Sequence, residues 1–158
     1  TPLYSSAASD VYKRQAITDE VSGVTRDRHY GKSEWGGKEF SVIDTGGYIT
    51  GSEDIFEGEI RKQVELAIDE SNVILFIVDA KDGITEMDTA VVQLLRKTEK
   101  KTLLVANKTD NSTLLEESVE FYNLGMGDYF PISSMSGSGT GDLLDELLSV
   151  LLALFNKV

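Results

Sequence analysis

The 158-residue sequence has no cysteine. That excludes a disulfide framework and any thiolate metal site, and it suits a reducing compartment. Basic residues are scarce: 15 Lys and Arg stand against 27 Asp and Glu, a formal net charge of −12. Binding to nucleic-acid backbones rests on neutralising phosphates with Lys and Arg, so a surface this acidic is not a general nucleic-acid surface. Long apolar runs are also lacking. The longest, residues 143–155, carries Asp145 and Glu146 and falls short of the roughly 20 apolar residues a membrane helix needs. The first fifteen residues contain no glycine and lack the apolar segment of a signal peptide. The single histidine, His29, has no ligand-type cluster beside it and reads as an exposed residue rather than a metal or catalytic one.

What is present is an alternation of strands and helices in a chain of one-domain length. Gly36-Gly37 separates two short polar-apolar segments, which predicts a β-hairpin. A loop follows, then a helix from about 55 to 70 whose first turn is rich in acid (Glu53, Asp54, Glu57, Glu59), as the helix dipole favours. Residues 72–80 form a continuous apolar run, the pattern of a strand buried on both faces. A helix at 86–99, a buried strand at 102–107, a helix near 113–123 and a short strand at 129–133 come next. A closing helix places Leu143, Leu144, Leu147, Leu148, Leu151, Leu152 and Phe155 on one inward stripe. Trp35, beside the hairpin turn, reads as a packing residue. The expected fold is α/β, with a mostly parallel sheet and helices on both faces, so chemistry belongs at the carboxyl ends of the strands.

Gly31-Lys32-Ser33 ends like the phosphate-loop signature G-x-x-x-x-G-K-[ST], but Arg26 stands where the first glycine belongs. The triplet also falls inside the hairpin's first strand rather than at a strand-to-helix turn, and no phosphate binding is expected of it. The strand ends are more informative. The first ends in Asp44-Thr45-Gly46-Gly47: an aspartate there can hold Mg²⁺ through water, and a glycine lets its N–H approach a terminal phosphate. Another ends in Asn107-Lys108-Thr109-Asp110. A carboxylate at Asp110 can accept from both N1–H and the 2-amine of guanine, whereas adenine would leave it unpaired. The Lys108 stem can lie over the base, and the Asn107 amide can tie the loop together and reach N7. The competing reading makes Asp110 or Asn111 a helix N-cap. The third strand ends in Ser133-Ser134-Met135, where a backbone N–H could meet the base O6, or which could simply link to the last helix.

These residues, with "SGVTRDRHYG" (22–31), "VIDTGGY" (42–48), "FEGEIRKQVELAI" (56–68), "VDAKDGIT" (78–85), "NKTD" (107–110) and "ISSMSGSGTGDLLD" (132–145), resemble the first G domain of the double-Era-like GTPases (Der/EngA), bacterial ribosome-assembly factors. The resemblance covers about nine tenths of the chain, from about Gln15. It implies a three-layer P-loop-NTPase fold of the small G protein type. It implies GTP and GDP as ligands, with Mg²⁺ held by Thr25 and Asp44 and K⁺ beside the phosphates. It makes Gly47 the γ-phosphate sensor, and Asn107, Lys108 and Asp110 the base readers. The other residues expected at the nucleotide are Thr45, Gly46, Tyr48, Thr109, Ser133, Ser134 and Met135. The cytoplasm is the implied location, with no membrane contact. A large-subunit precursor is the implied partner, reached through other domains of the complete protein, with no direct nucleic-acid contact by this acidic domain.

Two departures from the family pattern stand out. Tyr48 occupies the place of the water-orienting glutamine of classical G proteins and is expected to pack against its neighbours. The family's first strand, phosphate loop and first helix have no counterpart in the sequence. Residues 1–15 read as an unrelated leader and 16–158 as a truncated G domain, expected to be inactive by itself. A gap is then expected between the strands "EFSVID" and "NVILFIVDA". A non-catalytic α/β module, binding only the guanine base or a protein partner, is the alternative.

Overall fold

The computed structural model describes residues 29–45 and 59–156. Strands β1 (His29–Trp35) and β2 (Lys38–Asp44) form the expected antiparallel hairpin, with Trp35 opposite Lys38 and His29 opposite Asp44. Gly36 and Gly37 sit at φ 56° and 74°, the left-handed pair that a two-residue turn needs to match the strand twist. Gly31, Lys32 and Ser33 face Val42, Ser41 and Phe40 across the ladder. The triplet is thus mid-strand, and the Lys32 ammonium pairs with exposed Glu39 at 3.1 Å.

Helix α1 (Glu59–Glu70) leads into β3 (Val73–Asp79), then α2 (Glu86–Leu95) and β4 (Lys101–Asn107). The residues expected to open α1, from 55 to 58, lie outside the described residues. Thr85 caps α2 in a reciprocal capping box with Asp88, which satisfies two orphan donors at once. Helix α2 stops at Leu95 rather than 99. The Lys97 and Thr98 N–H groups reach back only three residues, to the carbonyls of Leu94 and Leu95, and the Thr98 hydroxyl accepts from the Lys100 N–H at 3.2 Å. The next expected helix is also divided. Helix α3 (Ser112–Glu117) passes into a 3₁₀ segment, Ser118–Leu124, that ends at Gly125. Buried Ser118 hydrogen-bonds the Leu115 carbonyl at 2.6 Å and lies 2.8 Å from the Tyr129 hydroxyl; such back-bonding disturbs a regular helix.

Strand β5 (Tyr129–Pro131) is shorter than the 129–133 expected. The Ile132 N–H still reaches the Ala106 carbonyl at 2.8 Å, but that of Ser133 turns away to Ser138 at 2.9 Å. Helix α4 (Thr140–Phe155) closes the chain. Its stripe is buried at Leu143, Leu144 and Leu147, whereas Leu152 and Phe155 are 39% and 64% exposed. The inward stripe expected from sequence therefore holds only for the first half of the helix.

Strands β3, β4 and β5 form a parallel sheet in that order. Alternation along the strands sends Phe76, Val78, Leu104 and Ala106 to one face, against Val92 and Leu95 of α2 and Phe121 and Leu124 of the 3₁₀ segment. Leu103 and Val105 point to the other face, against Leu143, Leu144 and Leu147 of α4. The three layers expected of the chain are present. The hairpin is a separate sheet, and no ladder joins β2 to β3 among the described residues. Between them runs a cleft of about 570 Å³, walled by Val42, Ile68, Val73, Leu75, Leu147 and Leu151. Among the described residues, no strand stands between β2 and β3. Trp35, packed against the α4 side of the core, also donates its indole N–H to Asp145 of α4 at 2.8 Å. No helix among the described residues is long and apolar enough to cross a membrane.

Candidate functional site

Because β3, β4 and β5 are parallel, their carboxyl ends open on one side of the sheet. Asp79 and Asn107 lie opposite each other there, as the last register pair of β3 and β4. Asn107 is 2% exposed, so both ends of its amide need partners. They have them: Oδ1 accepts from the Ser134 N–H at 3.0 Å and Nδ2 donates to Ser134 Oγ at 3.1 Å. This side chain locks the end of β4 to the loop after β5. Thr109 adds a second lock, giving both its N–H (3.0 Å) and its hydroxyl (2.8 Å) to the Ile132 carbonyl.

Between the locks the chain must turn sharply, and Lys108 takes φ 68°, the one non-glycine positive φ among the described residues. Its ammonium pairs with Asp79 Oδ2 at 2.5 Å, while Asp79 Oδ1 accepts the Lys81 N–H at 2.8 Å. Burial pushes the Asp79 carboxyl up, but the Lys108 ammonium and the Lys81 and Asp82 N–H groups outweigh it, and the result is below the ordinary carboxylate range. The hydrogen bond to Asp79 holds Lys108 above its ordinary value.

The two capping candidates separate cleanly. Asn111 caps α3, its Oδ1 accepting the Leu114 N–H at 2.9 Å. Asp110 therefore does not spend its carboxylate on the helix. It is exposed, and one oxygen accepts the hydroxyl of fully buried Ser133. The Ser133 oxygen in turn accepts the Ser136 N–H at 3.3 Å. Met135, 96% exposed, stands at the crest of this loop.

Asn107, Lys108, Thr109, Asp110, Ser133, Ser134 and Met135 are thus brought to one place. Asp44 and Thr45 close β2, on the other sheet, and Thr45 borders the cleft. Thr25, Gly46, Gly47 and Tyr48 lie outside the described residues. No group of three metal-ligating side chains occurs among the described residues. Sequence reasoning missed Asp79. Its signal was an acid ending an otherwise apolar strand, directly across the register from Asn107.

A family model described as "50S ribosome-binding GTPase" matches residues 5–108. The chain is 68% identical over 138 residues to the GTPase Der of Flavobacterium psychrophilum, covering 87% of this chain and 32% of that protein. Against the GTPase Der of Christiangramia forsetii it is 63% identical over 141 residues, 89% of this chain and 32% of the relative. The chain thus spans about a third of the length of the curated relatives it matches. Among solved structures, Era in complex with MgGDPNP and a 16S ribosomal RNA fragment superposes with a TM-score of 0.63 at 23% identity, over 82% of this chain and 46% of that one. The GTP-binding protein engB gives 0.64 at 20% identity, over 85% of each chain. These two likenesses carry the fold.

Proposed function

The chain belongs to the 50S ribosome-binding GTPase family, and from that premise we propose that its strand-end site reads the guanine base of GTP and GDP. One observation carries the reading. Asn111 takes the helix-capping duty, so the Asp110 carboxylate is left exposed beside the strand ends, oriented by a buried serine hydroxyl. Such an acceptor meets the N1–H and 2-amine of guanine and repels the N1 acceptor of adenine. Charge-assisted bonds of this kind contribute about 1.5–3 kcal/mol each. The Ser134 N–H is taken by Asn107 Oδ1, so the O6 atom falls to the Met135 N–H, and N7 to the Asn107 amide.

On the phosphate side, Asp44, Thr45, Gly46, Gly47, Tyr48 and Thr25 are the residues of the reading. Mg²⁺, held there by Asp44 and Thr25, would offset the phosphate charge, and K⁺ is the expected companion. The complete protein hydrolyses GTP as a switch during assembly of the large ribosomal subunit in the cytoplasm, its precursor particle contacted through other domains. Support comes from the names and high identity of the Der relatives. Residues 1–15 are a leader and 16–158 the G domain in this reading.

Exchanging Asp110 for Asn tests it. The amide presents a donor where guanine N1–H needs an acceptor, and it suits the 2-oxo group of xanthine. In nuclear magnetic resonance titrations the D110N chain is expected to bind XMP in preference to GMP, reversing the order of the unaltered chain. An unchanged preference for GMP removes Asp110 from base reading.

A further inference from the structure

Lysine is a poor wall for a flat ring unless something holds it, because its four-carbon stem is flexible and its ammonium strongly hydrated. Lys108 is held at both ends. Its backbone is fixed at φ 68° between the Asn107 and Thr109 locks, and its ammonium is fixed by Asp79 at 2.5 Å. Asp79 is itself immobile: it ends β3 in register with Asn107, and its second oxygen is taken by the Lys81 N–H. The stem consequently bridges the ends of β3 and β4.

We propose that Asp79 is a positioning residue of the base site, stretching the Lys108 stem into the apolar wall on which the purine ring stacks. This rests on the guanine reading above and adds to it a residue that touches no ligand atom. The ion pair also has a second effect. Two further carboxylates, Asp82 and Asp110, attract the same ammonium. Freed from Asp79, the ammonium can swing onto Asp110 and occupy the acceptor that guanine needs. Asp79 thereby keeps the wall extended and the base-reading carboxylate open.

The test is a thermodynamic cycle on the 158-residue chain, with GMP and AMP as probes in nuclear magnetic resonance titrations. Variants are Asp79→Asn, Lys108→Met and the double substitution; Met keeps an apolar stem and removes the ammonium. In the unaltered background, Asp79→Asn is expected to weaken GMP binding about fivefold to tenfold, and in the Lys108→Met background by less than about twofold, as required if the two act as a unit. An equal loss in both backgrounds, or no loss in either, overturns the proposal. A chain that binds GMP no better than AMP overturns the guanine reading and this inference with it. A chain that prefers GMP, yet is indifferent to Asp79→Asn, overturns the inference alone.

Discussion

At the scale of single residues, two neighbours with similar chemistry have different work. Asn111 caps α3, and Asp110 accepts the hydroxyl of buried Ser133. Asn111→Ala is expected to cost about 1 kcal/mol of stability, the usual value of an N-cap, without altering preference among purine nucleotides. Urea unfolding and nucleotide titration on the same sample check both halves. Asp88 offers a second test. It is buried at the start of α2, and burial, the dominant influence, raises its carboxyl above the ordinary range despite the bonds from Thr85, with Asp82 and Asp79 adding repulsion. The folded protein therefore holds this proton at a pH where the unfolded chain has lost it. Acidification from the raised value down to the unfolded value of about 3.9 favours folding through this group. Asp79 has the opposite sign: its folded value is depressed, so its contribution is full above the unfolded value and is lost as pH falls through the folded one. Asp88→Asn keeps an oxygen for the Thr85 N–H and removes the titration. Its urea midpoint is expected to fall more steeply on mild acidification than that of the unaltered protein. Parallel profiles would show that Asp88 does not titrate in this window.

At the scale of elements, what the sequence discloses follows what periodicity can carry. The apolar runs of β3 and β4 and the alternation of the hairpin bury or pair side chains by simple rules, and those strands stand where expected. The 3₁₀ segment after α3 does not follow from spacing, because it depends on Ser118 finding both the Leu115 carbonyl and the Tyr129 hydroxyl. The outer half of α4 was misjudged for a related reason. Leu152 and Phe155 have helical spacing, yet they border the cleft instead of a packed layer. At the site, the N-K-x-D signature pointed to the proposed base reader, but choosing the helix cap needed atomic positions, and Asp79 became visible only through sheet register. Two substitutions test element junctions. Trp35→Phe keeps an aromatic ring and loses the bond to Asp145, with an expected cost of about 1 kcal/mol. Gly139 begins α4 at φ 76°, and a Cβ there would lie 2.3 Å from the Pro131 carbonyl oxygen. Gly139→Ala is expected to lose more than about 2 kcal/mol. The comparison is Gly127→Ala, also at positive φ but with open space around it, at about 1 kcal/mol. Thermal melts of the pair separate the clash from the dihedral; equal losses would leave no role for the clash.

At the scale of the molecule, the proposed base half of the site sits on the three-stranded sheet and Asp44 on the hairpin, with the cleft between the two sheets. Phosphate affinity in this fold comes from a glycine-rich loop and a helix N-terminus, and the 158 residues contain no such signature. The chain alone is therefore expected to bind GTP more weakly than about 1 mM and to show no hydrolysis. Replacing residues 1–15 with a family-like strand, phosphate loop and helix is expected to bring binding to the micromolar range. A fluorescent GDP analogue titrated into both proteins decides it, and tight binding by the unaltered chain refutes the expectation. The divided sheet also bears on how the protein opens. The hairpin's ladder is shared with no strand of the larger sheet among the described residues, whereas β4 is flanked on both sides and buried from Leu103 to Asn107. Backbone amides should then exchange with deuterated solvent in two classes. Those of β1 and β2 should be released together by a sub-global opening that swings the hairpin off α4, and those of β4 only when the whole domain unfolds.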